Sequence, residues 1–364
     1  MRVVNLGTVS VPRSLAVFHA VAQEAAPSDE MTLVFARPAE AFVSVGYHQL
    51  ASRELNVPYC RSHNIPIARR LVGGGAVLLD HNQVFWHLIM PGAHASVKDL
   101  YQALLPAPVA AYQRMGINAA IRPLNDIVVG SRKIGGTGAA TIAHSLIFVG
   151  SLMYDFDREL MAHVLNVPSE KFRDKTVQAM RDYMTTMTEQ LPQGVPSAEE
   201  AIDILSQEFA NMLDTPAHYE DLRENEEEAA KQFAVQLFDP DFVFQNEGWT
   251  VPGTKITGDV YLYEGLYKAP TGLVRAIWRE REGLIESAWL GGDFLIEPAQ
   301  ALQALQDAIN QASLSVQDLP DFVERLFREG KVKGIAADDI VQAFLHRANL
   351  EEAAMAEGGT QRGA

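Results

Sequence analysis

The strongest restriction on the fold is the alternation of short apolar runs with helical patterns over the first 155 residues. The runs "TLVF" (32–35), "AFVSVGY" (41–47), "PIARR" (66–70), "VFWHLIM" (84–90) and "HSLIFVGSLMY" (144–154) are rich in Val, Ile, Phe and Tyr and read as strands. Between them, 51–63 and 96–116 read as helices, and Ser96 and Asp99 stand at capping-box spacing. This mixture predicts an α+β (α/β) domain. From about 157 to 236 the pattern turns helical, with a second capping-box pair, Ser197 and Glu200, ahead of apolar positions 202, 205, 209, 212 and 213.

Residues 239–256 read as a linker rich in Gly, Pro and Asn. Strands are predicted beyond it, with "REG" turning one hairpin, then helices at 298–312, 318–328 and 337–348. The expected organisation is a catalytic region over 1–240, a linker at 241–257, a small α+β region at 258–348 and a disordered tail at 349–364.

The formal charge of −16 and pI near 5.1 argue against non-specific nucleic-acid binding and against a lipid-surface role. An anionic ligand must therefore find local positive charge. No apolar stretch approaches the roughly 18 residues of a membrane span, and the start lacks a signal-peptide core. Cys60 is the single cysteine, which excludes an intrachain disulfide and a multi-cysteine metal site. A soluble, cytoplasmic monomer is the expectation.

Two stretches carry the chemistry. In "RRLVGGGAVLLD" (69–80), Gly73, Gly74 and Gly75 allow positive φ and close approach to the main chain, whose N–H groups can form an anion nest. Arg69 and Arg70 would add forks for phosphate or carboxylate. Leu78 stands where a dinucleotide fingerprint needs its third glycine, and no G-K-[S/T] follows, so neither nucleotide motif is present. In "RPLNDIVVGSRKIGGTGAA" (122–140), Asn125 and Asp126 precede a strand and Lys133 precedes a glycine-rich turn. Such a lysine can neutralise an α-phosphate and a carbonyl oxygen, and such an aspartate can hold Mg²⁺. Either stretch alone is also compatible with a plain turn or hairpin.

Together with "SVGYHQ" (44–49) and "VLNVPSEKFRDKTVQAMRDYMTTM" (164–187), these stretches resemble the lipoate–protein ligases of the biotin/lipoate ligase fold. "GLIESAWLGGDF" (283–294) and "KGIAADDIVQAFL" (333–345) are similar to segments of the accessory domain of full-length ligases. The resemblance implies ATP-dependent conversion of lipoate to lipoyl-AMP, then transfer to a lysine of a lipoyl carrier. That carrier would be a glycine-cleavage H protein, an H-like lipoate-binding protein or an E2 lipoyl domain. By position it places nucleotide and acyl-adenylate on Arg70, Gly73, Gly74, Gly75, Ala76, Val77, Leu78, Asn125, Asp126 and Gly135. Lys133 would be the catalytic contact to acyl carbonyl and α-phosphate, and Asp126 would lie near Mg²⁺.

Two positions depart from the family pattern. Val72 stands where a small hydroxyl residue is common, and Leu79 where a histidine is common. Three other readings remain open at this stage: an octanoyl- or lipoyl-transferase using a cysteine thioester, a biotin ligase, and a non-catalytic acyl- or nucleotide-binding protein. A transferase nucleophile belongs just before Asp126, where "IRPLN" has no thiol.

Overall fold

The computed structural model describes residues 1–123, 125–167, 170–245, 247, 255–257, 260–298 and 300–346. The expected tail at 349–364 lies outside the described residues, as do residues 246 and 248–254 of the expected linker at 241–257. The chain forms two compact units, Met1–Tyr47 with Ala51–Gln245, and His48–Leu50 with the described part of Asn246–Ala364.

The first unit carries strands β1 (Arg2–Val9), β2 (Thr32–Pro38), β3 (Phe42–Val45), β4 (Ile67–Arg69), β5 (Val77–Leu79), β6 (Gln83–Pro91), β7 (Ala119–Arg122), β8 (Asp126–Val129), β9 (Arg132–Ile142), β10 (Ser145–Met153) and β11 (His218–Tyr219). Eight form one mixed sheet in the order β11-β1-β2-β6-β10-β9-β8-β7, and β4-β3-β5 form a second. β6 is buried from Gln83 to Met90, as a strand covered on both faces must be. On one face Phe18, Val21, Phe85, Ile89 and Ile147 pack with Ala229 and Ala230 of helix Glu224–Gln236. On the other, Trp86 and Phe148 meet Phe209 of helix Ala198–Met212.

Helix Val11–Glu24 buries ten residues, His19 among them, and was not foreseen, nor was β1. The expected helix at 51–63 is two helices, Ala51–Glu54 and Val57–Ser62. Asn56 caps the second by accepting from the Tyr59 N–H, and Pro58 sits in its first turn, where its missing donor costs nothing. The expected helix at 96–116 likewise divides at Pro106 into Val97–Leu104 and Pro106–Arg114. Both capping-box sites cap their helices: the Asp99 and Glu200 N–H groups donate to Ser96 and Ser197.

The second unit is built on an antiparallel sheet, β12 (Lys255–Thr257), β13 (Val260–Ala269), β14 (Gly272–Arg281) and β15 (Leu284–Gly292), in that order. Glu282 and Gly283 turn the expected hairpin with φ of 52° and 80°. Helices Ala301–Gln311, Leu319–Gly330 and Ala337–Leu345 cover it, and Trp278 lies 5.0 Å from Phe344, ring centre to ring centre. Leu50 packs with Leu262, Ile277 and Trp289 of this unit, and the His48 carbonyl accepts from the Gly292 N–H.

In the first unit, two backbone segments meet without side chains between them. A Cβ on Gly46 would lie 1.9 Å from the Gly74 carbonyl oxygen, so no larger residue fits at 46. Gly46→Ala is expected to lower stability by about 1–3 kcal/mol through overpacking of backbone on backbone. The check is a reduced urea midpoint at unchanged slope; wild-type stability would show that the loop yields freely.

Candidate active site

Strands β8 and β9 bring the lysine and the acid together through an irregularity. Asp126 pairs with Gly136 and Ile127 with Gly135, but Val128 pairs with Lys133, so β9 carries one extra residue here. Regular alternation would put Lys133 and Gly136, three apart, on opposite faces. The bulge turns the lysine onto the face of Gly136, where a Cβ would lie 2.8 Å from Lys133 Nζ. Gly136 is thus the floor on which the lysine lies. Gly135 instead looks toward the Ile127 side chain.

Lys133 Nζ is 2.6 Å from Asp126 Oδ1. Arg122, directly across the β7–β8 hairpin, holds Oδ2 at 2.7 Å, and the Tyr183 hydroxyl donates to the same oxygen at 3.2 Å. The Arg122 guanidinium also stacks 4.7 Å from the Tyr183 ring centre. Burial alone would push the Asp126 carboxyl up, but Lys133 and Arg122 outweigh it and hold it below the usual carboxylate range. Asn125 is tied into the turn, its amide donating to the Thr137 carbonyl while the Thr137 hydroxyl donates to the Asn125 carbonyl. The Thr185 N–H donates to the Lys133 carbonyl and fastens the chain after helix Glu170–Tyr183 beside β9.

The glycine loop is closed by its own arginine. Arg70 donates to the carbonyls of Ser44, Gly73 and Gly75 at 3.0, 2.8 and 2.7 Å. Burial, with a smaller contribution from Arg69, lowers its pKa to about 10, so it remains a cation. Gly74 alone of the three takes positive φ, at 87°. Ala76 follows it, and Val77 and Leu78 run into β5, paired with Ser44 and Val43 of β3. His19 anchors the loop from below. Its Nδ1–H donates to the Leu15 carbonyl, and its Nε2 accepts from the Leu71 N–H at 3.1 Å. Val72 is buried and reaches to 3.3 Å from where a Gly138 Cβ would be.

Arg69 does not stand beside Arg70 as the sequence suggests. It is 1% exposed, and its guanidinium donates to the carbonyls of Gly46, Tyr47, Phe242 and Val243. Strand alternation explains the difference: neighbours in an extended segment point to opposite faces, so one arginine meets the loop and the other the interior. Arg69 therefore props the shelf under Gly74 and caps the last carbonyls of helix Pro240–Val243.

Arg122, Tyr183 and Gly136 were missed in the sequence. A readable signal existed for Arg122, since "RPLND" sets opposite charges astride a Pro-Asn turn. Nothing local pointed to Tyr183. A resident Mg²⁺ does not fit Asp126 as placed, because both carboxylate oxygens are already shared among two cations and a hydroxyl. Among the described residues, no group of three His, Cys, Asp or Glu side chains could hold a metal.

The lipoyl protein ligase A/B catalytic domain family matches residues 11–210. The chain belongs to this family. It is 26% identical to lipoate-protein ligase A subunit 1 of Thermoplasma acidophilum over 65% of this chain and 91% of that one. It is 30% identical to lipoate–protein ligase 1 of Staphylococcus aureus over 45% of this chain, spanning about half (49%) of that relative. A solved archaeal bi-partite lipoate protein ligase, described with its E2 lipoyl domain, superposes with a TM-score of 0.61 at 25% identity, covering 70% of this chain and 98% of its own. Plasmodium falciparum LipL1 shares the fold over 94% of this chain and 98% of its own, with a TM-score of 0.70 at 15% identity. No helix among the described residues is long and apolar enough to cross a membrane.

The depressed Asp126 pKa has a definite sign for stability. Its contribution is complete above the unfolded carboxylate value near 3.9 and is lost as pH falls through the lower folded value. Asp126→Asn is expected to be less stable than wild type at about pH 6, the gap closing toward about pH 2. Denaturant titrations at several pH values check this; a gap independent of pH would mean that the ion pairs contribute nothing.

Proposed function

We propose that this chain is an ATP-dependent lipoate–protein ligase. A lipoate carboxylate oxygen attacks the α-phosphorus of ATP, pyrophosphate leaves and lipoyl-AMP forms. The ε-amine of a carrier lysine then attacks the acyl carbonyl, AMP leaves, and the amine's proton is lost as the amide forms. The carrier is a small lipoyl domain of the E2, H-protein or H-like kind. The archaeal relative described with an E2 lipoyl domain supports this class of partner. A catalytic region over 1–240, an accessory region over 258–348 and a monomeric cytosolic enzyme belong to the same reading.

The observation that carries it is Lys133, bent by the bulge onto the glycine-floored face, paired with an aspartate and standing on the strand that passes beneath Val72. A cation held in place before the reaction neutralises charge building on the acyl oxygen and the α-phosphate without reorganisation. In this proposal Arg70, once exchanged from the loop carbonyls, balances the nucleotide phosphates, while the N–H groups of Gly73 to Ala76 line the adenylate. Val77, Leu78, Asn125 and Gly135 frame the pocket, and Asp126 positions Lys133. Mg²⁺ would arrive with the nucleotide's phosphates rather than reside on the protein, and no step here depends on it.

Pyrophosphate release with ATP and lipoate, followed by a lipoyl mass gain on an added carrier domain, tests the proposal. Lys133→Ala is expected to lose about 10²–10³ in rate in both adenylate formation and transfer from supplied lipoyl-AMP. Near-normal rates in both would remove Lys133 from the mechanism.

The thioester route is disfavoured by the chain's one thiol. Cys60 is fully buried in helix Val57–Ser62, and burial pushes its pKa up to about 11, far from a ready nucleophile. Cys60→Ser is therefore expected to keep its ligation rate. An acyl thioester trapped on Cys60 would favour the transferase reading instead.

A further inference from the structure

The pair formed by Lys133 and Asp126 poses an electrostatic problem. An ammonium and a carboxylate 2.6 Å apart nearly cancel, and a cancelled cation does little for charge growing on a phosphate or an acyl oxygen. A third charge offsets that loss. Asp126 bridges two cations through separate oxygens: Oδ1 faces Lys133, while Oδ2 accepts from Arg122 Nη2 at 2.7 Å and from the Tyr183 hydroxyl at 3.2 Å. Two cations and one carboxylate leave the cluster with one net positive charge. The Asp126 side chain is only 16% exposed, so water does not do this balancing instead.

The two cations are held differently. Arg122 Nη1 donates to the Ser131 carbonyl at 3.2 Å, its Nη2 also donates to the Tyr183 hydroxyl, and its guanidinium carbon lies over the Tyr183 ring. Lys133 Nζ has Asp126 alone as a polar partner among the described residues, above the bare main chain of Gly136. Arg122 is therefore the fixed charge, and Lys133 is the one able to turn to a substrate. Neighbouring cations are committed elsewhere: Arg132 and Arg158 both pair with Glu189, at 2.9 and 2.6 Å. The hydrogen bond to Asp126 raises the Arg122 pKa against a smaller effect of burial, so Arg122 stays a cation.

We infer that Arg122 is a positioning residue for acyl activation: it takes up the charge of Asp126, so that Lys133, still held in place by Asp126, presents its own charge to the α-phosphate and the acyl oxygen. This rests on the ligase reading above, which brings those groups to Lys133. Without Arg122, Asp126 and Lys133 form a closed neutral pair. The ammonium is then drawn back to the carboxylate, and a lysine that turns to substrate leaves Asp126 part-buried without a cation. Arg122 thus acts through Asp126 and needs no contact with substrate.

The test measures pyrophosphate release with ATP and lipoate for wild type, Arg122→Gln, Arg122→Lys, Asp126→Asn and the double variant Asp126→Asn/Arg122→Gln. Arg122→Gln is expected to lose about tenfold in kcat, the order of one charge-assisted contact, and Arg122→Lys to recover most of it. With Asp126 neutral there is no charge to take up, so Arg122→Gln should cost less than about twofold in the Asp126→Asn background. A loss of equal size in both backgrounds, or none in either, overturns the inference; the former would mean that Arg122 serves the fold or meets substrate itself. Should Asp126→Asn turn over too slowly to assay, the same cycle is read by calorimetry with AMP and with adenosine. Arg122→Gln should then weaken AMP binding about tenfold beside Asp126 but not beside Asn, with adenosine binding unchanged throughout. Equal changes for AMP and adenosine, or none, overturn it as well. Wild type that releases no pyrophosphate with ATP and lipoate refutes the ligase reading itself, an outcome distinct from any of these.

Discussion

One extra residue in strand β9 decides what this site can do. Without the bulge opposite Val128, Lys133 would project from the face opposite Gly136 and could not reach Asp126. The insertion costs a ladder position and the glycine costs backbone entropy, yet together they set an ammonium down on bare main chain. Asp126 holds the lysine from the hairpin side, and Arg122 with Tyr183 holds Asp126. The lysine is thus shared rather than sequestered, since its partner carboxylate answers to two cations.

The glycine loop follows a different logic, in which carbonyl oxygens rather than anions take up the positive charge. Arg70 is spent on Gly73 and Gly75, and Arg69 on four carbonyls in the interior, two of them at the end of helix Pro240–Val243. Main-chain carbonyls are good partners for guanidinium, whose planar fork reaches several at once. The loop's position is therefore set from β3, from helix Val11–Glu24 through His19, and from residues 242–243, which are remote in sequence.

Local pattern carried much of this and failed where tertiary contacts decide. The strands at 32–38, 42–45, 83–91 and 145–153 were legible because buried strands read as apolar runs, and Lys133, Asp126 and the glycine loop because glycine beside charge is a chemical signal. The expectation that both arginines of "RR" face one anion site fails for Arg69, which strand alternation sends inward. Helix Val11–Glu24 was overlooked because its Ala- and Val-rich sequence, buried nearly all round, has no clear polar face to give a period. Tyr183 reaches Asp126 from 57 residues away, and no spacing rule within either segment could have joined them.

Two buried histidines, His19 beneath the loop and His87 on β6, also shape how the protein responds to acid. His19 and His87 each stay neutral when folded, with pKa values near 3, whereas in an unfolded chain each would take a proton near 6.5. Protonation therefore favours unfolding: stability is complete above about pH 6.5 and falls as pH drops toward the folded values, by up to about 1.4 kcal/mol per histidine per pH unit. The bond from the Leu71 N–H to His19 needs the same unprotonated nitrogen. The helix that props the glycine loop is thus also where a mildly acidic medium would begin to take this unit apart.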